Sequence, residues 1–174
     1  MLKIIIILVI SISSFFLSAK TVLADSRVAA TSAQLKKTTR QNDYRVRILR
    51  TYLSQHKSPL VDYAETFVFY ADKYNLDWRL VPAITGVEST FGKRIPRNSY
   101  NAYGWANGAY NFKSWEDSIE IVTQTLREKY IEKGAPSIAK IARRYAPPSS
   151  TWAKKVKYLM RKIEPLPVTF TLEG

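Results

Sequence analysis

The stretch that decides the fold is Asp77-Trp78-Arg79-Leu80-Val81-Pro82-Ala83-Ile84-Thr85-Gly86-Val87-Glu88-Ser89-Thr90-Phe91-Gly92-Lys93. Leu80, Ile84, Val87 and Phe91 recur at helical spacing and predict the seam of a helix packed on a core. Asp77 is an N-cap residue type at its start, and Gly92 is placed to end it. Glu88 does not fit an exposed face: Ile84 lies four residues before it, Gly92 four after, and Val87 and Phe91 are its close neighbours. Burial among such neighbours raises a carboxyl pKa, and the partial negative charge of the helix C-terminus acts in the same direction. A carboxylic acid that stays protonated near neutral pH is what general-acid chemistry requires. The competing expectation is an ordinary ion pair with Lys93, Arg94 or Arg79.

The helical period continues on both sides. Asp43 is expected to cap a helix over residues 44–55 with Tyr44, Ile48, Leu49 and Tyr52 on one face. Ser58-Pro59 opens a second helix to about Tyr74, striped by Leu60, Ala64, Phe67, Ala71 and Tyr74. Downstream, Ser114-Trp115-Glu116-Asp117 has the form of a capping box before a helix with Ile119, Val122, Leu126 and Tyr130 on one side, stopped by Gly134 and Pro136. Ser137 caps a short helix to Tyr145, and Pro147-Pro148 breaks the chain. Thr151 caps a last helix with the seam Trp152, Val156, Leu159 and Ile163, ended by Pro165.

Between these helices, residues 93–113 carry Tyr100, Tyr103, Trp105, Tyr110 and Phe112 amid Gly, Pro and Asn, with no helical period. This reads as a long aromatic loop or a small hairpin. Flat apolar rings beside the Asn101 amide form a composition that stacks on sugar faces and hydrogen-bonds their substituents, and equally one that packs back on the helices.

The chain as a whole has 174 residues, 27 Lys and Arg against 14 Asp and Glu, one His and no Cys. Disulfides, thiolate catalysis, cysteine metal sites and multi-histidine sites are therefore excluded. Nucleotide-binding Gly motifs and the Gly-x-Ser-x-Gly elbow are absent. The net charge of +13 predicts an anionic partner. Residues 1–24 have the pattern of a signal peptide, with Lys3 as the basic flank, an apolar core from Ile4 to Leu17 and Val22-Leu23-Ala24 as the cleavage site. An uncleaved anchor is the alternative, although the core falls short of the roughly 20 apolar residues that span a bilayer. Residues 25–42 read as a polar basic linker, 43–164 as the organised domain and 165–174 as a tail.

Glu88-Ser89-Thr90-Phe91-Gly92-Lys93 followed by Asn98-Ser99-Tyr100-Asn101-Ala102-Tyr103-Gly104 resembles the lysozyme-like peptidoglycan glycosidases, both the lytic transglycosylases and the bacterial endo-β-N-acetylglucosaminidases. Residues 112–119 and Tyr145-Ala146-Pro147-Pro148 with Trp152-Ala153 are similar to later motifs of the glucosaminidase branch, so the likeness covers residues 60–163. The Gly-Leu-Met-Gln stretch of transglycosylases is replaced after Gly104 by Trp105-Ala106-Asn107. The resemblance implies a mainly α, lysozyme-like domain with Glu88 and Tyr145 as catalytic residues and Ser89, Asn101, Tyr103, Trp105 and Tyr100 as substrate-binding ones. It also implies a secreted or cell-envelope enzyme acting on peptidoglycan strands, held near anionic wall polymers, monomeric, and without metal, cofactor or nucleic acid.

Paired-carboxylate glycosidases need a second acid across the scissile bond. No Asp or Glu lies between Ser89 and Trp115, and Glu116 and Asp117 read as first-turn helix residues. The expectation is a single acid, with the substrate's N-acetyl group or 6-hydroxyl supplying the second function; hydrolysis and anhydro-sugar formation both stay open. A non-catalytic wall-binding module and an exported nucleic-acid binder are the other function classes that this composition admits.

Overall fold

From residue 43 onward, six α-helices and no strand make up the described residues of the computed structural model, which are 32, 43–147 and 149–164. The helices are α1 (Tyr44–Gln55), α2 (Ala64–Lys73), α3 (Leu80–Ser89), α4 (Trp115–Thr125), α5 (Ile138–Tyr145) and α6 (Trp152–Ile163). Short 3-10 turns at Val61–Tyr63 and Trp105–Gly108 and a π-helical turn at Leu126–Ile131 interrupt the connections. The segments expected to be a signal peptide, a linker and a tail lie outside the described residues, apart from Ser32. Among the described residues no helix is long and apolar enough to cross a membrane.

α3 is the central helix. Leu80, Val81, Pro82, Ala83, Ile84, Thr85 and Ser89 are buried, so its apolar surface extends beyond the single seam read from the sequence. It packs chiefly on α6. Gly86 makes that approach possible: a Cβ there would lie 2.6 Å from Leu159 Cδ1 and 2.6 Å from the Phe91 ring. α2 packs on α1 and α4, and α5 on α6, which closes one core around Leu49, Leu53, Leu60, Phe67, Ile84, Ile119 and Val156.

Several local expectations are refined. α1 buries Val46, Leu49 and Leu53 and leaves Tyr44 53% exposed. Its register is held by Arg45, whose guanidinium pairs with Asp43 at 2.8 Å and Asp72 at 2.7 Å and ties α1 to the end of α2. Asp77 accepts the Arg79 N–H at 2.9 Å and so caps the turn ahead of α3. α3 ends at Ser89, before Gly92, because Thr90 and Phe91 already adopt left-handed conformations at φ 55° and 59°. Rings of Tyr52 and His56 pack against Phe91 at 5.6 and 4.6 Å, and the Ser58 hydroxyl donates to Phe91 O at 2.8 Å, which holds this tight reversal. α4 and α5 are capped by Ser114 and Ser137 as their sequences suggest. α6 is capped differently: Ser149, not Thr151, accepts the Trp152 N–H, at 3.1 Å, and Met160 is buried while Leu159 is only half-buried. The hairpin alternative for residues 93–113 is ruled out, since no strand forms there and Phe112 N–H donating to Ser99 O at 2.9 Å is the main-chain bond that joins the two limbs.

Candidate functional site

Glu88 stands on the last turn of α3, half-buried, with its two carboxyl oxygens in different surroundings. The Trp152 indole N–H donates to Oε1 at 2.5 Å. Oε2 faces Gly104, lying 3.0 Å from where a Cβ on that residue would be. Gly104 is exposed and left-handed at φ 67°, so the loop brings bare backbone against the free oxygen. Burial pushes the Glu88 carboxyl above its ordinary value; the Trp152 N–H and the nearby charge of Lys155 act the other way without reversing the direction. The alternative ion pair does not form. Arg79 pairs with Asp77, Lys93 donates to His56 O, and Glu88 has no ion pair among the described residues.

Beside this acid lies a cavity of about 250 Å³ whose lining includes Gly104, Trp105, Asn107, Leu126, Tyr130 and Tyr145. One wall is the 3-10 turn after Gly104, in which Ala106 and Asn107 also take left-handed conformations at φ 50° and 54°. Another is the π-helical turn, which carries Leu126 and Tyr130. The Tyr130 and Tyr145 rings stand 6.2 Å apart, and Tyr145 lies 5.0 Å from the Trp152 ring. Strained backbone and a π turn around one cavity are features that cluster at functional sites.

Tyr145 adjoins the acid but does not bond to it. Its hydroxyl donates to Tyr103 O at 2.6 Å. Burial, then the negative charge of Glu88, pushes that phenol well above its ordinary value, so it stays a neutral donor. The bond to Tyr103 O fixes the loop carbonyl just before Gly104.

Three residues expected to bind substrate have buried side chains. The Ser89 hydroxyl is buried, lies 2.9 Å from Ala102 O and 3.0 Å from Thr85 O, and accepts from Gly92 N–H at 2.9 Å, so its hydrogen-bonding capacity is used internally. Asn101 is 2% exposed; its Nδ2 donates to Trp105 O at 2.9 Å and Tyr110 O at 3.0 Å, while Oδ1 accepts from Trp105 N–H at 3.0 Å. The Tyr103 side chain is buried against Phe112, at 6.2 Å between rings, and burial pushes its phenol pKa upward. Ser89 thereby ties the loop to the end of α3 and Asn101 ties the loop to itself, while Tyr103, although its ring is buried, is also among the residues that line the cavity. Tyr100 packs edge-on against Trp115 at 5.4 Å, away from the cavity lining. Of the seven candidates, Tyr103, Trp105 and Tyr145 line the cavity, and Glu88 adjoins it through Gly104.

Trp152 and Tyr130, which the helical period places among the apolar seam residues, also belong to this site. A Trp at the start of the last helix, one turn beyond a double proline, was a usable signal for the first; nothing in the helical period announced the π turn that presents the second. Among the described residues no three His, Asp or Glu side chains gather where they could hold a metal ion. No family model matches the chain, and no curated protein matches it in sequence.

Proposed function

We propose that this protein is a peptidoglycan-cleaving glycosidase of lysozyme-like fold in which Glu88 is the general acid. The observation that carries the reading is the asymmetry of the Glu88 carboxyl: Oε1 occupied by the Trp152 N–H, Oε2 free at Gly104 beside the cavity, and the whole group held toward its protonated form by burial. With Oε1 already accepting, the proton resides on Oε2 and is delivered from there to the glycosidic oxygen. Trp105 and Tyr130 offer ring faces to sugars, and the neutral Tyr145 stabilises the loop that aligns them. No acid occupies residues 89–115, so the oxocarbenium-like centre is met by the substrate's own N-acetyl group or 6-hydroxyl, a recognised departure from the two-carboxylate scheme. The signal-like N-terminus and the basic surface agree with work at an anionic wall.

The test is mass spectrometry of fragments released from purified peptidoglycan by the protein and by Glu88→Gln. The expected result is release by the first and none by the second. Anhydro-muramyl ends identify a transglycosylase, whereas reducing ends identify a hydrolase and the sugar it cuts after. Equal release by both proteins, or no release by either, overturns the assignment; the latter result points to a wall-binding module.

A further inference from the structure

The outward face of α6 has no part in that chemistry, yet it is densely cationic. It carries Lys154, Lys155, Lys157, Arg161 and Lys162, all exposed, and the helix contains no acid. None of the five forms an ion pair among the described residues. Like charges at helical spacing repel, so this face works against helix stability and calls for an external counter-charge.

Its layout has a direction. Trp152, at the start of α6, bonds Glu88, and Lys155, three residues on, acts electrostatically on the same carboxyl. Lys155, Tyr158 and Lys162 then follow at spacings of three and four, on one side of the helix. Lys162 Nζ lies 5.5 Å over the Tyr158 ring, which is 52% exposed. Beyond it opens a groove of about 330 Å³ between α6 and α1, lined by Lys162, Arg47, Thr51 and Gln55 among others. Arg47 is exposed and, among the described residues, also without an ion pair. From Lys155 to Lys162 the helix rises roughly 10 Å.

We infer that Lys155, Tyr158, Lys162 and Arg47 form a track that binds the carboxylates of a glycan strand, leading away from Glu88 along α6. The identity of the polymer rests on the glycosidase reading of Glu88; the track itself rests on the unpaired cations, the exposed ring and their alignment. The apolar residues of the groove, Ile48, Tyr52 and Ile163, are buried or half-buried, so the track exposes no large aliphatic side chain to enter a bilayer, which disfavours a lipid surface. It offers one exposed ring, where single-stranded nucleic acid is held by several successive ones. Carboxylates spaced along a sugar chain fit cations in a line with a ring between them.

The experiment measures co-sedimentation with insoluble peptidoglycan, native or with its carboxyls amidated, using Glu88→Gln protein so that nothing is cut. Adding Arg47→Gln and Lys162→Gln is expected to weaken binding to native wall about tenfold at low salt and to flatten its salt dependence. On amidated wall the two proteins are expected to bind alike. Lys129→Gln with Lys133→Gln, an equal charge change at exposed positions off the track, is expected to leave binding unchanged. The inference is overturned if the track variant binds native wall like its Glu88→Gln parent, or if the off-track pair loses as much. It is also overturned if phosphatidylglycerol vesicles or single-stranded DNA engage Arg47 and Lys162 more tightly than the wall does. Since the readout is binding by a protein that cannot cleave, its failure is separable from that of the glycosidase reading, which falls if the unmodified protein releases no fragments.

Discussion

Replacing Gly104 by Ala probes the proposed proton-delivering atom directly. Two effects add. Gly104 sits at φ 67°, ψ 18°, where an L side chain costs roughly 1–2 kcal/mol. The new methyl would also stand 3.0 Å from Glu88 Oε2, inside ordinary contact of about 3.5 Å. The carboxyl cannot swing away freely, because Oε1 is held by the Trp152 N–H at 2.5 Å. Either that bond is lost or the loop shifts, and in both cases Oε2 is covered or displaced by several tenths of an ångström. The expected thermal midpoint falls by about 3–8 °C. Turnover of peptidoglycan falls by about a hundredfold, mostly in kcat, since displacing a general acid affects the transition state more than binding. Gly108→Ala provides the comparison: φ is 85°, but the nearest atom to its Cβ would be Pro96 Cγ at 3.6 Å, so strain is matched without any contact with Glu88. The assay pairs thermal unfolding with release of sugar ends from peptidoglycan for both variants. Gly104→Ala retaining the activity of Gly108→Ala at equal loss of stability would refute the placement of the reacting proton on Oε2.

Three further outcomes follow from the same geometry. Burial holds the Glu88 carboxyl above its unfolded value, so its favourable contribution is present below the ordinary carboxylate range and is lost as pH rises through the folded value; Glu88→Gln should therefore melt with the unmodified protein near pH 4 and above it at pH 8, by calorimetry. Trp152→Phe removes the N–H that favours the ionised form, so the alkaline limb of the activity–pH profile moves to higher pH, while the lost bond and volume lower stability by about 1–3 kcal/mol in urea titration. Asn101→Ala leaves the half-buried Trp105 N–H and two loop carbonyls without their partners and is expected to cost about 1–3 kcal/mol by the same titration, with activity falling as the loop loosens.

The helical framework was largely legible in the sequence. Its helices begin where Asp43, Ser114 and Ser137 place caps, and apolar spacing located the buried faces of α2, α3 and α4. What differed was settled by hydrogen bonds and ion pairs that apolar spacing does not encode. Tyr44 shares a face with Ile48 in the sequence, but the helix is turned so that Tyr44 is exposed and Arg45 bridges Asp43 and Asp72; Thr151 is a cap residue type, but Ser149 takes the Trp152 N–H. The π turn at Leu126–Ile131 has no periodic signature, because Leu126 and Tyr130 satisfy an uninterrupted α-helical pattern equally well. Glu88 was legible for a physical reason: an acid at a core-adjacent position near a helix end, with no cation at helical spacing, is costly unless it has a use.

The residues around Glu88 teach something different. Ser89 and Asn101 looked like ligand-binding groups because their types hydrogen-bond sugars, yet both are satisfied by the backbone of the loop they sit in. Their service to the site is indirect. Ser89 joins the end of α3 to Ala102, Asn101 folds the chain back from Tyr110 to Trp105, and Tyr145 fastens Tyr103 O from the other side. The one residue left between these anchors is Gly104, and it is the one set against Oε2. Side chains that would each bind a sugar weakly are thus used to position a stretch of main chain that needs no side chain at all. The acid and the loop are therefore a single mechanical unit: a change at Ser89 or Asn101 reaches Oε2 through Gly104.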